Sequence, residues 1–100
     1  MAAEKLSVVV PAFNEEQTIK TVISKLLDVP FLHEIIVIDD CSTDSTAQAV
    51  ESIRVKHGDI VKLIKHAKNQ GKTGALKTGF RTISCDIVIV QDADLEYDPH

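Results

Sequence analysis

The sequence is poor in several things, and each shortage removes a class of function. Its 100 residues hold two cysteines, Cys41 and Cys85, 44 positions apart and outside any CxxC pair. Without a secretory leader, two such cysteines read as reduced thiols. Met1 is followed by Ala2-Ala3-Glu4-Lys5 and not by a basic and then a long apolar stretch, so a cytosolic location is expected. No apolar run approaches the ~20 residues that a membrane helix needs. Positive charge is in the minority, 11 Lys and Arg against 15 Asp and Glu, a net charge of −4. That balance is poor for generic nucleic-acid binding, and no nucleic-acid partner is expected. No repeat, linker or low-complexity tract interrupts the chain. Nor does any Ser or Cys nucleophile motif or catalytic-triad pattern appear. With 44% hydrophobic and 26% charged residues, residues 1–100 read as a single globular domain with a modest core.

The charge is unevenly spread. From Arg54 to Arg81 run eight basic residues and one acid, Asp59; the rest of the chain holds three basic residues and fourteen acids. A solvated helix and loop account for such a segment. So does a surface that meets anionic phosphate, in a ligand or at a membrane face.

The hydrophobic pattern alternates strand and helix from end to end. Leu6 to Val10 is apolar apart from Ser7 and stops at Pro11. Ile19, Val22, Ile23, Leu26 and Leu27 follow at helical spacing, with Asn14 and Gln17 placed as a capping box and Pro30 just beyond. Ile35 to Ile38 is a second β-branched run, closed by Asp39-Asp40. A helix carrying Thr46, Ala47, Val50 and Ile53 inward ends near His57-Gly58. Ile60 to Ile64 is a weaker third strand. A helix with Leu76, Gly79, Phe80 and Ile83 on one face follows, and Ile87 to Val90 is a fourth strand. Apolar strands separated by helices predict a doubly wound, mostly parallel α/β sheet of about four strands and three helices. Ligands of such sheets bind beyond the carboxyl ends of the strands. The polar clusters fall there: Pro11 to Glu16, Asp39 to Asp44, Asn69 to Thr73, and Asp92 to Asp98.

Three of these clusters carry chemistry. In Asp92-Ala93-Asp94 the two carboxylates point to the same side of an extended chain, and Glu96 continues the parity. They repel unless a cation lies between them, and oxygen ligands of this kind suit Mg²⁺ or Mn²⁺ with a ligand's phosphates completing the shell. An acidic turn is the plainer reading. Asp39-Asp40 ends a buried strand, where one carboxylate can cap the next helix and one, Asp39, can accept from a ring N–H of a base. Gly71-Lys72-Thr73 looks like the tail of a Walker A loop, but the pattern requires glycine where this chain has His66. A glycine, a helix N-terminus and Lys72 still suit a phosphate. His33, His57 and His66 read as surface or cap residues, and no histidine has metal spacing with another His or Cys.

In order, these pieces resemble a known family. A strand leads into Pro11-Ala12-Phe13-Asn14-Glu15-Glu16. Then come Val37-Ile38-Asp39-Asp40-Cys41-Ser42-Thr43-Asp44, Asn69-Gln70-Gly71-Lys72-Thr73-Gly74-Ala75 and Asp92-Ala93-Asp94-Leu95. The chain resembles the N-terminal, nucleotide-binding half of an inverting family-2 glycosyltransferase, the Rossmann-like half of the GT-A fold. Gln91 to Pro99 is most similar to the polyprenyl-phosphate (dolichyl-phosphate) glucose or mannose synthases.

The resemblance implies roles. Pro11, Ala12 and Glu15 line the nucleobase pocket, Asp39 hydrogen-bonds the base, and Lys72 contacts the diphosphate. Asp92 and Asp94 hold ribose and a divalent metal, Mg²⁺ or Mn²⁺, with Glu96 a further ligand. Cys41 stands where the family usually has glycine. The implied reaction passes a hexose from a UDP- or GDP-hexose, with inversion, to an acceptor such as a polyprenyl phosphate, in a parent protein associated with the cytosolic face of a membrane. Such enzymes are longer than this chain. The expectation is therefore a truncated domain that binds nucleotide, lacks its catalytic base, transfers no sugar itself, and self-associates through an exposed sheet edge. The competing readings are a non-catalytic nucleotide-sugar-binding module, a receiver-like phospho-acceptor domain and a nucleotidyltransferase. The last two are disfavoured by Pro11-Ala12-Phe13 after the first strand.

Overall fold

The computed structural model describes residues 5–93. The β-branched runs become strands β1 (Leu6–Ala12), β2 (Leu32–Asp39), β3 (Val61–Lys65) and β4 (Ile87–Val90). Between them lie helices α1 (Ile19–Leu26), α2 (Thr46–His57) and α3 (Gly71–Thr82), with one 3-10 turn, Gly58–Ile60, ahead of β3. All strand pairings are parallel, and the sheet order is β3-β2-β1-β4. The chain builds outward from β1 to β3, and α3 then carries it back to the other side of β1. This is the doubly wound α/β sheet expected from the sequence.

Strand parity distributes the core over two faces. Val8, Val10, Ile35 and Val37 pack with Ile19, Val22, Ile23 and Val50 of α1 and α2. Val9, Ile36 and Ile38 pack with Ala75 of α3, and Leu76 and Ile83 close over them. On the second face α3 comes very close to the sheet: a Cβ added at Gly79 would overlap the Val9 side chain. Ala75 and Gly79 therefore form the contact. Phe80, expected to face inward, is rotated out of it and left exposed.

Helix α1 begins later than the capping-box reading placed it. Its N-cap is Thr18, and Asn14 adopts a positive φ of 53° in the preceding loop. The Asn14 carboxamide is engaged elsewhere, accepting from the Thr43 N–H at 2.8 Å.

Pro11 shapes the carboxyl end of the sheet. Val9 turns its carbonyl to the Gln91 N–H, and Ala12 turns its own to the Asp40 N–H. By alternation, residue 11 faces β4, and proline has no N–H to offer there. The β1–β4 register accordingly ends at Val9 and Val90, and a crevice opens beyond it. The outer edge of β3 carries Lys62 and Lys65, which discourage pairing with another chain. On β4, Ile87, Ile89 and Val90 are exposed, and among the described residues no strand covers its outer edge. No helix of the described residues is long and apolar enough to cross a membrane.

Candidate functional site

A cleft of about 420 Å³ opens where the strand order reverses, at the carboxyl ends of β1 and β4. Open α/β sheets bind ligands at this switch point. Pro11, Ala12, Phe13 and Glu15 enter the cleft from the loop after β1, and Asp40 from the end of β2. Lys72 and Ala75 come from the start of α3, and Asp92 and Ala93 from the segment after β4. Five residues singled out from the sequence, Pro11, Ala12, Glu15, Lys72 and Asp92, thus come together. Asp94 and Glu96 lie outside the described residues.

The two adjacent acids after β2 part company. Asp39 has the parity of Ile35 and Val37, the α2 side. Its Oδ1 accepts from the Ser42 N–H at 3.0 Å, and it lines a separate groove with Asp44, Ala47 and Lys65. Asp40 has the parity of Ile36 and Ile38, the α3 side. Its Oδ1 accepts from the Gln70 N–H and its Oδ2 from the Gly71 N–H, each at 2.8 Å. Asp40, and not Asp39, faces the cleft. Successive side chains at a strand end point to opposite faces, a signal that the sequence contained. Burial pushes the Asp40 carboxyl up, but hydrogen bonds from His66, Gln70 and Gly71 outweigh it and hold the carboxyl below its usual range. Gly71 adopts φ 78°, which suits glycine, at the point where the loop turns into α3.

His66 also departs from its surface reading. Its side chain is 7% exposed, and it has the parity of Ile64, on the α3 side of β3. The ring lies between Asp40 and Thr78, with Nδ1 2.8 Å from Asp40 Oδ1 and Nε2 2.8 Å from Thr78 Oγ1.

The loops after β1 and β2 brace each other and make one wall of the cleft. The Asn14 N–H donates to Ser42 Oγ at 2.9 Å, and the Glu15 N–H to Thr46 Oγ1 at 2.8 Å. Glu16 Oε1 accepts from the Ser45 N–H at 2.9 Å. Asp44 accepts from Thr46, through its hydroxyl and its N–H, and from the Glu16 N–H. Burial raises the Asp44 carboxyl, and these bonds more than offset that and lower it. Cys41, in the position the resemblance gives to glycine, adopts φ 67° and so keeps the left-handed turn.

Across the cleft, Lys72 Nζ meets Asp92 Oδ1 at 2.6 Å. The segment after β4 is pinned at Ala93, whose methyl is buried and whose carbonyl accepts from Thr18 Oγ1 at 2.7 Å. Among the described residues no three His, Cys, Asp or Glu side chains gather into a metal cage. Asp92 is a hard oxygen donor of the kind that Mg²⁺ and Mn²⁺ accept. The cleft thus sets a lysine and a helix N-terminus, which favour an anion, beside a carboxylate that favours a cation.

Known proteins share this fold. The chain is 33% identical over 97 residues to a dolichol-phosphate mannosyltransferase of Pyrococcus furiosus, covering 95% of this chain and 27% of that protein. Its fold superposes with a TM-score of 0.85 and 31% identity on a mannosyltransferase of Pyrobaculum calidifontis in complex with GDP-Man and Mn²⁺, covering 93% of this chain and 28% of that one. A glucosyl-3-phosphoglycerate synthase of Mycobacterium tuberculosis, in complex with Mn²⁺, UDP and glucosyl-3-phosphoglycerate, superposes with a TM-score of 0.72 at 32% identity, covering 92% of this chain and 34% of that one. This chain therefore spans about a third or less of the length of these relatives. Residues 7–100 match one family throughout, and by that match the chain belongs to glycosyl transferase family 2.

Proposed function

We propose that the cleft binds the nucleoside diphosphate of a UDP- or GDP-hexose, and that the whole protein transfers the hexose with inversion to a polyprenyl phosphate. The observation that carries this reading is the convergence of Asp40, Lys72 and Asp92 on one cleft at the reversal of strand order. Pro11, Ala12 and Glu15 form the wall for the base, and Asp40 is the carboxylate that can accept from its ring N–H. Lys72 and the start of α3 face the diphosphate, where fixed positive charge stabilises the leaving group as it departs. Asp92, with Asp94 and Glu96 further along, supplies oxygen ligands for Mg²⁺ or Mn²⁺. When bound, the divalent cation neutralises charge that builds on the nucleoside diphosphate. Mn²⁺ accompanies the nucleotide in both solved relatives described above.

The polyprenyl-phosphate acceptor is supported by the dolichol-phosphate mannosyltransferase relative. The basic residues of the Arg54 to Arg81 run other than Lys62 and Lys72 suit an anionic membrane surface, where such a lipid resides. A calorimetric titration with UDP and with GDP, each with and without Mn²⁺, tests the reading. Metal-dependent binding of one of them, lost in Asp94→Ala, is the expected result. A folded chain that binds neither nucleotide under any condition overturns it.

A further inference from the structure

We infer that His66 is a positioning residue for nucleotide recognition: it orients the Asp40 carboxylate so that one acceptor site remains for the ligand. The inference rests on the nucleotide reading of the cleft. An ionised carboxylate has about four acceptor sites. Asp40 commits two on Oδ1, to the Gln70 N–H and to His66 Nδ1, and one on Oδ2, to the Gly71 N–H. The remaining site is on Oδ2, on a side chain that is 5% exposed and lines the cleft. A base ring N–H is a donor that suits it.

The two backbone donors, Gln70 and Gly71, are adjacent residues where the connection after β3 turns into α3. His66 approaches from the other end of that connection, directly after β3, where its own N–H is bonded to the Asp39 carbonyl at 2.9 Å, so that the carboxylate is held both from the sheet and from the start of α3. The ring is anchored in turn: its Nε2 meets the Thr78 hydroxyl of α3 at 2.8 Å. An ionised Asp40 only accepts, so Nδ1 carries the proton and donates. In a neutral ring, Nε2 then accepts from Thr78. The chain β2–Asp40, β3–His66, α3–Thr78 thus ties the base-facing carboxylate to the helix whose first turn carries Lys72.

Orientation-specific rescue separates positioning from packing. An asparagine amide can occupy the place of Nδ1 and still donate to Asp40, whereas a glutamine amide reaches the place of Nε2 and serves Thr78 instead. The chain and its His66→Asn, His66→Gln and His66→Leu variants are titrated with UDP and GDP in Mg²⁺ by calorimetry, and amide spectra confirm their folds. The expected result is His66→Asn within about threefold of the parent, with His66→Gln and His66→Leu weaker by about tenfold or more, the worth of a bond to a charged group. Equal affinities in the Asn and Gln variants overturn the inference. Should the Gln and Leu variants unfold, the imidazole ¹⁵N signals of the parent decide. The expected result is a protonated Nδ1 whose signal moves on nucleotide saturation while those of His33 and His57 stay; an unmoved His66 signal overturns the inference. A parent that binds neither nucleotide overturns the functional reading itself. Nucleotide binding without discrimination among the variants overturns only the role of His66.

Discussion

Lys62 on β3 reaches Glu34 on β2 at 2.6 Å, and the carboxylate it meets is 1% exposed. The Ser7 hydroxyl and the N–H and hydroxyl of Ser84 also donate to Glu34, so one buried acid ties β1, β2, β3 and the entry to β4 at the end of the sheet away from the cleft. Burial pushes the carboxyl up, but the bonds from Lys62, Ser7 and Ser84 outweigh it and hold the pKa at about 2, against 4.5 ordinarily. A lowered pKa stabilises the fold above the unfolded-state value and loses that contribution as pH falls. The stabilisation from Glu34 is therefore complete above about pH 4.5 and fades toward about pH 2. Glu34→Gln leaves imperfectly paired donors and should cost ~2–4 kcal/mol at neutral pH. Urea unfolding at pH 7 and pH 3 checks this: the gap between parent and variant should narrow at the lower pH, and a constant gap would count against the assignment.

Gly79 is fixed by contact with Val9. In Gly79→Ala the new methyl falls inside the Val9 side chain, and α3 must lift from the sheet. Overpacking of this kind costs ~1–3 kcal/mol. In a Val9→Ala background the two overlapping γ-methyls are gone and only Val9 Cβ, at 3.3 Å, crowds the new methyl, so the same change should cost clearly less. A double-mutant cycle in denaturant measures the coupling; additive effects would show that the contact is not limiting.

Cys41 is strained, and its relief is testable. At φ 67° an L-residue pays ~1–2 kcal/mol that glycine does not. Glycine also frees the unfolded chain, which offsets ~0.4–1 kcal/mol of the gain. Cys41→Gly should raise stability by a few tenths to about 1 kcal/mol. Cys41 Sγ points to the Ala67 carbonyl at 3.6 Å and does not line the cleft, so nucleotide affinity should not change. Thermal unfolding with a nucleotide titration reads both.

Thr18 acts on the acidic segment from a distance. Its hydroxyl holds the Ala93 carbonyl, between Asp92 and Asp94. Thr18→Val keeps the shape and removes the donor, so Mg²⁺-dependent nucleotide affinity should fall by about three- to tenfold. Affinity without metal should change little, and Thr18→Ser should restore binding. A loss of equal size with and without metal would assign Thr18 to the nucleotide wall.

Most of the sheet was legible because β-branched runs and helical spacing are local signals: Val8 to Val10, Ile35 to Ile38 and Ile87 to Val90 announce strands on their own. The cleft's position followed from the rule for strand ends, and its polar residues sit in the loops that rule selects. What escaped depends on tertiary contact. Glu34, one residue ahead of the Ile35 to Ile38 run, carries no local signal, because its partners Ser7, Lys62 and Ser84 are far away in sequence. Asn14 fits a capping box but is taken by Thr43 across the loop. Phe80 fits the apolar face of α3 but is displaced by the close approach at Gly79. The side on which Asp40 and His66 lie is local information as well, since parity with Ile38 and Ile64 sets both on the α3 side.

Lys72 separates stability from binding. Its contact with Asp92 is an ion pair between side chains that are both more than half exposed, 59% and 53%. Exposed pairs of this kind contribute little, so Lys72→Met should move unfolding free energy by less than ~0.5 kcal/mol. Binding should respond differently, because a lysine at a helix N-terminus in the cleft is placed to meet a phosphate. A charge-assisted bond lost from a diphosphate is worth ~1.5–3 kcal/mol, or about ten- to a hundredfold in affinity. The loss should be confined to ligands that carry the diphosphate. UDP or GDP should weaken while the matching nucleoside, lacking phosphate, binds the parent and the variant alike. Rising salt should erode the parent's advantage, since the contact is electrostatic. Calorimetry with the nucleotide and its nucleoside, at two ionic strengths, makes the comparison, and equal losses for both ligands would move Lys72 from the diphosphate to the base.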